Sequence, residues 1–290
     1  MSDTLKFYNY AVGFIDLLGQ RKHFEHEGLL PQFETKEQET AFHDKVKATI
    51  GAIDDLQRSA EQFHVAATEF KSPFVGQLPE NLRGPYEEAR KHRVHKQNWS
   101  DGVVHFTALG YPDIKVPMNS VFHLLTNLGS MCLLGLAKKR PIRGGFEVAW
   151  GVELRPGELY GCAVAKAYQL ESEIAQCPRI VLGPYILNYL QQSAGAQPTS
   201  IFDEVNRRLA HLRLGMIVED LDGKPIVHYL GDEFQRFISR SSHAYLFGKA
   251  MEFIGEQLQV HKSTGDNKLT SRYEHLRQYF IDHTPRTTPP

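Results

Sequence analysis

Tyr10-Ala11-Val12-Gly13-Phe14-Ile15-Asp16-Leu17 is a run of apolar and β-forming residues broken only by Asp16. Its length and its lack of polar alternation fit a strand buried on both faces. A carboxylate at the end of such a strand costs free energy unless it is paired, hydrogen-bonded or bound to a cation. Asp16 therefore either caps a turn or belongs to a site. Gly19 follows and frees the chain to turn.

Outward from this strand the pattern changes to helical. Residues 37–63 are charge-rich, with Phe42, Val46, Ile50, Ile53 and Leu56 at steps of three and four, an amphipathic helix. Residues 71–96 hold Pro73, Pro79 and Pro85 and a cationic run, Arg90 to Lys96, and read as a loop or insertion with room for a short helix. Trp99 to Leu109 alternates around Asp101-Gly102, which predicts a strand pair or a strand entered through a turn, with Asp101 at the turn. Pro117 precedes an apolar helix over 118–139. Its Val121–Ala137 portion is shorter than the roughly 20 residues of a membrane span and carries His123, Thr126, Asn127 and Ser130, so a buried core helix is expected.

Pro141 to Val152 reads as a strand in which Gly144 and Gly145 mark a close approach of backbone or ligand. Gly161 to Ala175 is helical, Arg179 to Leu182 is a short buried strand, and Asp222-Gly223 joins 215–220 to 225–230 as a hairpin. Helices follow from Ser242, and 284–290 reads as a loose tail. The order β, α, β–β, α, β, α, β predicts an α/β or α+β fold with a mixed sheet.

The 290 residues suffice for one large domain or two ordinary ones. Apolar residues make up 41 % and charged residues 23 %, a globular composition that argues against wholesale disorder. Thirty-three Lys and Arg oppose 34 Asp and Glu, so no global basic field exists to hold nucleic acid. Cys132, Cys162 and Cys177 form no CxxC pair, and their odd number suits a reducing cytoplasm. The first ten residues have no basic flank followed by an apolar run, so no signal peptide is expected.

Asp16 and Asp101 stand apart from ordinary surface charge. Each has a turn-capping reading. If their strands are neighbours, however, the two carboxylates come together, and such pairs are natural hosts for Mg²⁺ or Mn²⁺, which also take phosphate oxygens. Arg143, beside Gly144 and Gly145, is either an edge-strand arginine or a bidentate phosphate ligand. The Arg90–Lys96 run reads first as a solvated face and second as a lure for a polyanion. His92 with His95, and His23 with His26, match no zinc pattern. Phosphate-loop, nucleophile-elbow and dinucleotide-binding signatures are absent from the sequence. Cys162 follows Gly161 at a helix start without a recognisable partner base, which favours a structural cysteine.

Taken in order, four segments carry a resemblance. Phe14-Ile15-Asp16-Leu17-Leu18-Gly19, Ser100-Asp101-Gly102, Ile142-Arg143-Gly144-Gly145 and the stretch from Gly161 to Glu171 are similar to the successive motifs of class III nucleotide cyclases. The chain resembles most the Pycsar pyrimidine cyclases of bacterial antiphage defence. Three positions depart from the purine enzymes: Cys162, Ala165 and Gln169 stand where those have an acidic base-selecting residue, an Asn and a transition-state Arg. The spacing of 85 positions from Asp16 to Asp101 is also longer than usual.

The resemblance implies an α+β fold with a ferredoxin-like βαββαβ core over residues 1–185 and an insertion at about 64–97. Residues 186–290 then form a C-terminal helical and hairpin extension packed on that core. It implies conversion of UTP to 3′,5′-cyclic UMP and pyrophosphate, with CTP to cyclic CMP, a purine cyclase or a catalytically silent nucleotide sensor as alternatives. Two ions per site, Mn²⁺ or Mg²⁺, are expected on Asp16, Asp101 and the Leu17 or Ile15 carbonyl. Phe14 is expected near the nucleotide and Arg143 on the triphosphate. Gln169 occupies the transition-state position, with Lys166 or the Arg90–Lys96 run as a substitute cation. The expected partners are a nucleoside triphosphate, a second copy of the chain in a head-to-tail homodimer, and a downstream cyclic-nucleotide effector, without nucleic acid or membrane.

Overall fold

In the computed structural model, which describes residues 6–19, 28–69, 79–235 and 240–284, the opening strand β1 (Phe7–Leu17) lies inside the sheet. Its alternate side chains enter different cores. Ala11, Ile15 and Leu17 join the larger cluster on one face, and Tyr10, Val12 and Phe14 join a smaller one on the other. Burial on both faces is the physical reason the segment reads as one apolar run.

Helices α1 (Lys36–Glu69) and α2 (Glu80–Arg90) follow, then the hairpin of β2 (His95–Trp99) and β3 (Gly102–Ala108). The core helix α3 (Pro117–Ala137) leads to β4 (Ile142–Arg155) and the short β5 (Glu158–Tyr160). Helix α4 (Cys162–Gln169) widens into a π-helical segment, Leu170–Ala175, before β6 (Ile180–Leu182). Helices α5 (Pro184–Gly195) and α6 (Ile201–Leu214), the hairpin of β7 (Ile217–Glu219) and β8 (Pro225–Val227), and helices α7 (Asp232–Gln235), α8 (Arg240–Thr264) and α9 (Asn267–Asp282) complete the chain.

The strands form one mixed sheet in the order β2-β3-β1-β4-β6-β8-β7, with β5 pairing to β4 outside this path. β4 and β6 run parallel, and the other paired strands are antiparallel. The C-terminal hairpin thus continues the sheet through β6 and is not a separate layer. The fold is α+β.

Helix α3 supplies the larger core. Most of its 21 residues are buried, with α1 and α8 packed outside it. Among the described residues it is the one helix long and apolar enough to cross a membrane, and its apolar length is spent inside the fold. Where it crosses β1, Leu128 lies so close to Gly13 that a Cβ there would stand 2.5 Å from the leucine side chain.

Several expected boundaries move. The first helix runs on to Glu69, and the fourth strand runs on to Arg155. The stretch 64–97 holds the end of α1, helix α2 and the start of β2; its residues 70–78 lie outside the described ones, as do the His23–His26 pair and residues 285–290. The helix expected over 161–175 is regular only to Gln169. It widens where it presses on β4 at Gly145, whose missing Cβ leaves room for the Ala167 carbonyl and Leu170. The close approach expected at Gly144 and Gly145 is therefore made by the chain's own backbone, the Phe14 carbonyl at one glycine and α4 at the other.

Candidate functional site

Sheet register decides the site. Asp16 pairs across β1 and β3 with Gly102, the residue after Asp101, and across β1 and β4 with Arg143. The turn of the β2–β3 hairpin is Ser100–Asp101, with Ser100 held at φ 49°. Gly102 is required there: a Cβ would meet the Ile15 carbonyl oxygen at 2.8 Å. Three residues 42 to 127 positions apart in sequence thus reach one end of three adjacent strands.

That end opens into a cavity of about 500 Å³ lined by Asp16, Leu17, Asp101 and Arg143. Asp16 and Asp101 are both half-buried. Asp101 has no hydrogen bond or ion pair with any described residue. Arg143 is fixed by its Nε, which donates to the buried Glu171 of the π-helical segment. Its Nη ends make no hydrogen bond among the described residues and remain available to a ligand. Two oxygen-rich side chains beside an open guanidinium fork suit a hard divalent cation together with phosphate oxygens.

The opposite wall comes from the C-terminal helices. Phe253, Gln257 and His261 of α8 and Leu269, Arg272 and Tyr273 of α9 line the same cavity, as does Lys139. Lys139 is bound to Glu256 at 2.6–2.7 Å, and the His261 ring stacks on Tyr273. These wall residues carry no motif. Phe253, Gln257 and His261 do recur every four positions, a helical stripe, but nothing in the sequence points that stripe at Asp16.

Other expected site residues lie elsewhere within one chain. Phe14 is buried in the smaller core, edge-on to Trp99 and to Tyr168. Gln169 donates to Glu173 on an exposed surface at 3.1 Å. Lys166 stands over the Tyr185 ring at 4.9 Å and lines a second concavity of about 400 Å³ with Asn9, Trp150 and Cys162. The Arg90–Lys96 run is drawn into local contacts: Lys91 with Glu88, and Arg93 with Asp113 and the Tyr111 ring. Cys132 and Cys177 are buried and unpaired, and burial pushes the Cys177 thiol up to about 11, so neither is a nucleophile at neutral pH.

A second acidic cluster, missed in the sequence, lies near the β7–β8 turn. Ligand atoms of Asp220, Asp222 and His275 fall within 4.8 Å of one another. Its cation is already present as Arg179. That guanidinium donates to Asp220 at 2.6 Å and to Asp222 at 2.7 and 2.9 Å, while His275 Nε2 approaches Asp220 at 2.9 Å. Burial alone would raise the Asp220 carboxyl, but hydrogen bonds from His275 and Arg179 outweigh it and hold it at about 2. This network clamps β6, the C-terminal hairpin and α9 together.

No protein-family model matches the chain, and no curated protein does.

Proposed function

We propose that the chain is a class III nucleotide cyclase of the pyrimidine type, converting UTP to 3′,5′-cyclic UMP and pyrophosphate. The observation that carries this reading is the register that brings Asp16, Asp101 and Arg143 to one cavity, because these are the residues the resemblance assigns to metal and phosphate. The strand order β2-β3-β1-β4, with β1 antiparallel to both neighbours, supports a ferredoxin-like core.

In this reading the ribose 3′ oxygen attacks the α-phosphorus, the bond to the β-phosphate oxygen breaks, and pyrophosphate leaves. The 3′ proton passes to solvent. Asp16, Asp101 and the Leu17 carbonyl would hold two Mn²⁺ or Mg²⁺ ions, which when bound lower the pKa of the 3′ hydroxyl and neutralise the departing phosphates. Arg143 holds triphosphate oxygens through its Nη ends. Arg272, on the facing wall, supplies the cation that Gln169 does not.

Gln169 and Lys166 lie outside the cavity in one chain, and Phe14 is buried in its own core. The head-to-tail homodimer that the resemblance implies would set the Lys166 concavity of one protomer against the Asp16 cavity of its partner. A side-chain amide satisfies uracil or cytosine by flipping, so the preference for UTP over CTP rests on the resemblance. The product would be a cytoplasmic second messenger in antiphage defence, read by a cyclic-nucleotide effector.

The test is incubation of the purified chain with Mn²⁺ and each of UTP, CTP, ATP and GTP, with products identified by mass spectrometry. Cyclic UMP from UTP is expected, and it should vanish in Asp16→Ala and Asp101→Ala. Cyclic CMP would retain the class and change the base; cyclic AMP or GMP would retain the cyclase and discard the defence role. Nucleotide binding without any cyclic product would replace catalysis by sensing. A wild-type rate in either aspartate variant would remove the metal site.

A further inference from the structure

A third cavity, of about 400 Å³, opens between α2, α3 and α6 and shares no lining residue with the Asp16 cavity or the Lys166 concavity. Its walls are apolar: Leu82, Tyr86, Phe122, Phe202, Val205 and Leu209 all face it. Its polar lining is cationic or neutral, from Arg90, His92, Asn119, His123 and Arg213, with no acidic side chain. Most of these groups are engaged. Asn119 donates to the Ala89 carbonyl at 2.6 Å, and the His92 and His123 rings lie against each other at 3.8 Å, tilted by 34°.

Arg213 is different. Only 4 % of it is exposed, yet no carboxylate among the described residues lies within ion-pair distance. Its Nε has no hydrogen-bond partner, its Nη1 reaches only the Met216 sulfur at 4.0 Å, and the guanidinium lies 3.9 Å from the centre of the Phe122 ring. Burial lowers its pKa to about 10, with Glu233 acting in the opposite direction, so the group stays charged at neutral pH. It sits in the last turn of α6, where the helix dipole offsets part of the charge but fills none of the guanidinium donors. A buried cation with empty donors is costly in a protein interior, and a ligand anion would remove that cost.

We propose that this cavity binds a small amphipathic carboxylic acid, its apolar body against the α2, α3 and α6 side chains and its carboxylate on Arg213. The volume is in the range of ordinary small-molecule sites, and a few placed polar or charged groups in an otherwise apolar cleft are the usual way such sites orient a ligand. The inference is independent of the cyclase reading.

The test is calorimetric titration of the full chain with decanoate and with decanol, which share an apolar body and differ in the charge of the head. A charge-assisted bond to the guanidinium predicts that decanoate binds at least about tenfold more tightly. Arg213→Gln should erase that preference and Arg213→Lys should keep most of it. Val205→Trp, which fills the cavity and leaves the cation in place, should abolish binding of both and serves if the glutamine variant does not fold. Equal affinity for the two ligands, binding of neither, a preference that survives Arg213→Gln, or binding that survives Val205→Trp would each overturn the proposal.

Discussion

Around Arg179 the chain supplies every partner its buried charges need, whereas around Asp101 it leaves charge facing an open cavity. Both places combine aspartates with an arginine at the ends of strands. At Arg179 one guanidinium spans two carboxylates at 2.6–2.9 Å, so both already hold a cation. At Asp101 the nearby arginine is turned by Glu171, so that its Nη fork and the carboxylate face a cavity of about 500 Å³. The lesson is that an acidic cluster is informative only once its counter-charge has been located. The sequence singles out Asp16 and Asp101 but not Asp220, and the position of one arginine side chain separates a closed clamp from an open candidate site.

The largest effect should come from breaking the closed network. Arg179→Met leaves Asp220 buried without its cation, and such losses cost about 3–5 kcal/mol. Urea denaturation should show that drop, while Asp101→Asn at the open end should change stability by less than about 0.5 kcal/mol. A comparable loss in the Asp101 variant would mean that both clusters are structural.

Acid should separate the two regions next. The Asp220 carboxyl titrates at about 2 in the folded chain against an unfolded value of 3.8. Its contribution is fully present above about pH 4 and is lost as the pH falls towards 2. From the size of that shift it amounts to about 2 kcal/mol. Asp220→Asn should flatten the fall in thermal midpoint over that window. An unchanged acid profile would remove the proposed coupling to Arg179 and His275.

The smallest effect, and the sharpest comparison, is the response to metal. Mn²⁺ at about ten times its dissociation constant should stabilise the wild-type chain by roughly 1.4 kcal/mol. The rise in thermal midpoint should persist in Asp220→Asn and disappear in Asp16→Ala. The reverse pattern would move the cation site to the Asp220 cluster.

Much of the fold is legible in the sequence, for reasons particular to each element. β1 is readable because burial on both faces demands an uninterrupted apolar run. Helix α3 is readable because a helix wrapped by its neighbours is apolar all round, and the β7–β8 hairpin because Asp222-Gly223 supplies the turn. The π-helical segment is not legible, since it lies where α4 meets Gly145 of β4, a contact that local sequence does not state. The helices α5 and α6 and the short β5 carry too weak a local pattern. In the site, Asp16, Asp101 and Arg143 could be nominated by type and position, but Arg272 and His261 could not, because a helical stripe does not state what it faces.

The amino-acid sequence by itself determined where this chain must bury its apolar surface, and so its α+β character, its inner strand and its core helix. It also placed two aspartates and an arginine at strand ends, where burial makes charge costly. Only the tertiary structure decided which charges meet. Strand register set Asp16 beside Asp101 and Arg143, and the docking of the last two helices walled that cavity. Folding also paired Arg179 while leaving the Nε of Arg213 without a hydrogen-bond partner. Local sequence sets periodicity and propensity, whereas a counter-charge, a cavity or an empty donor depends on residues distant in the chain.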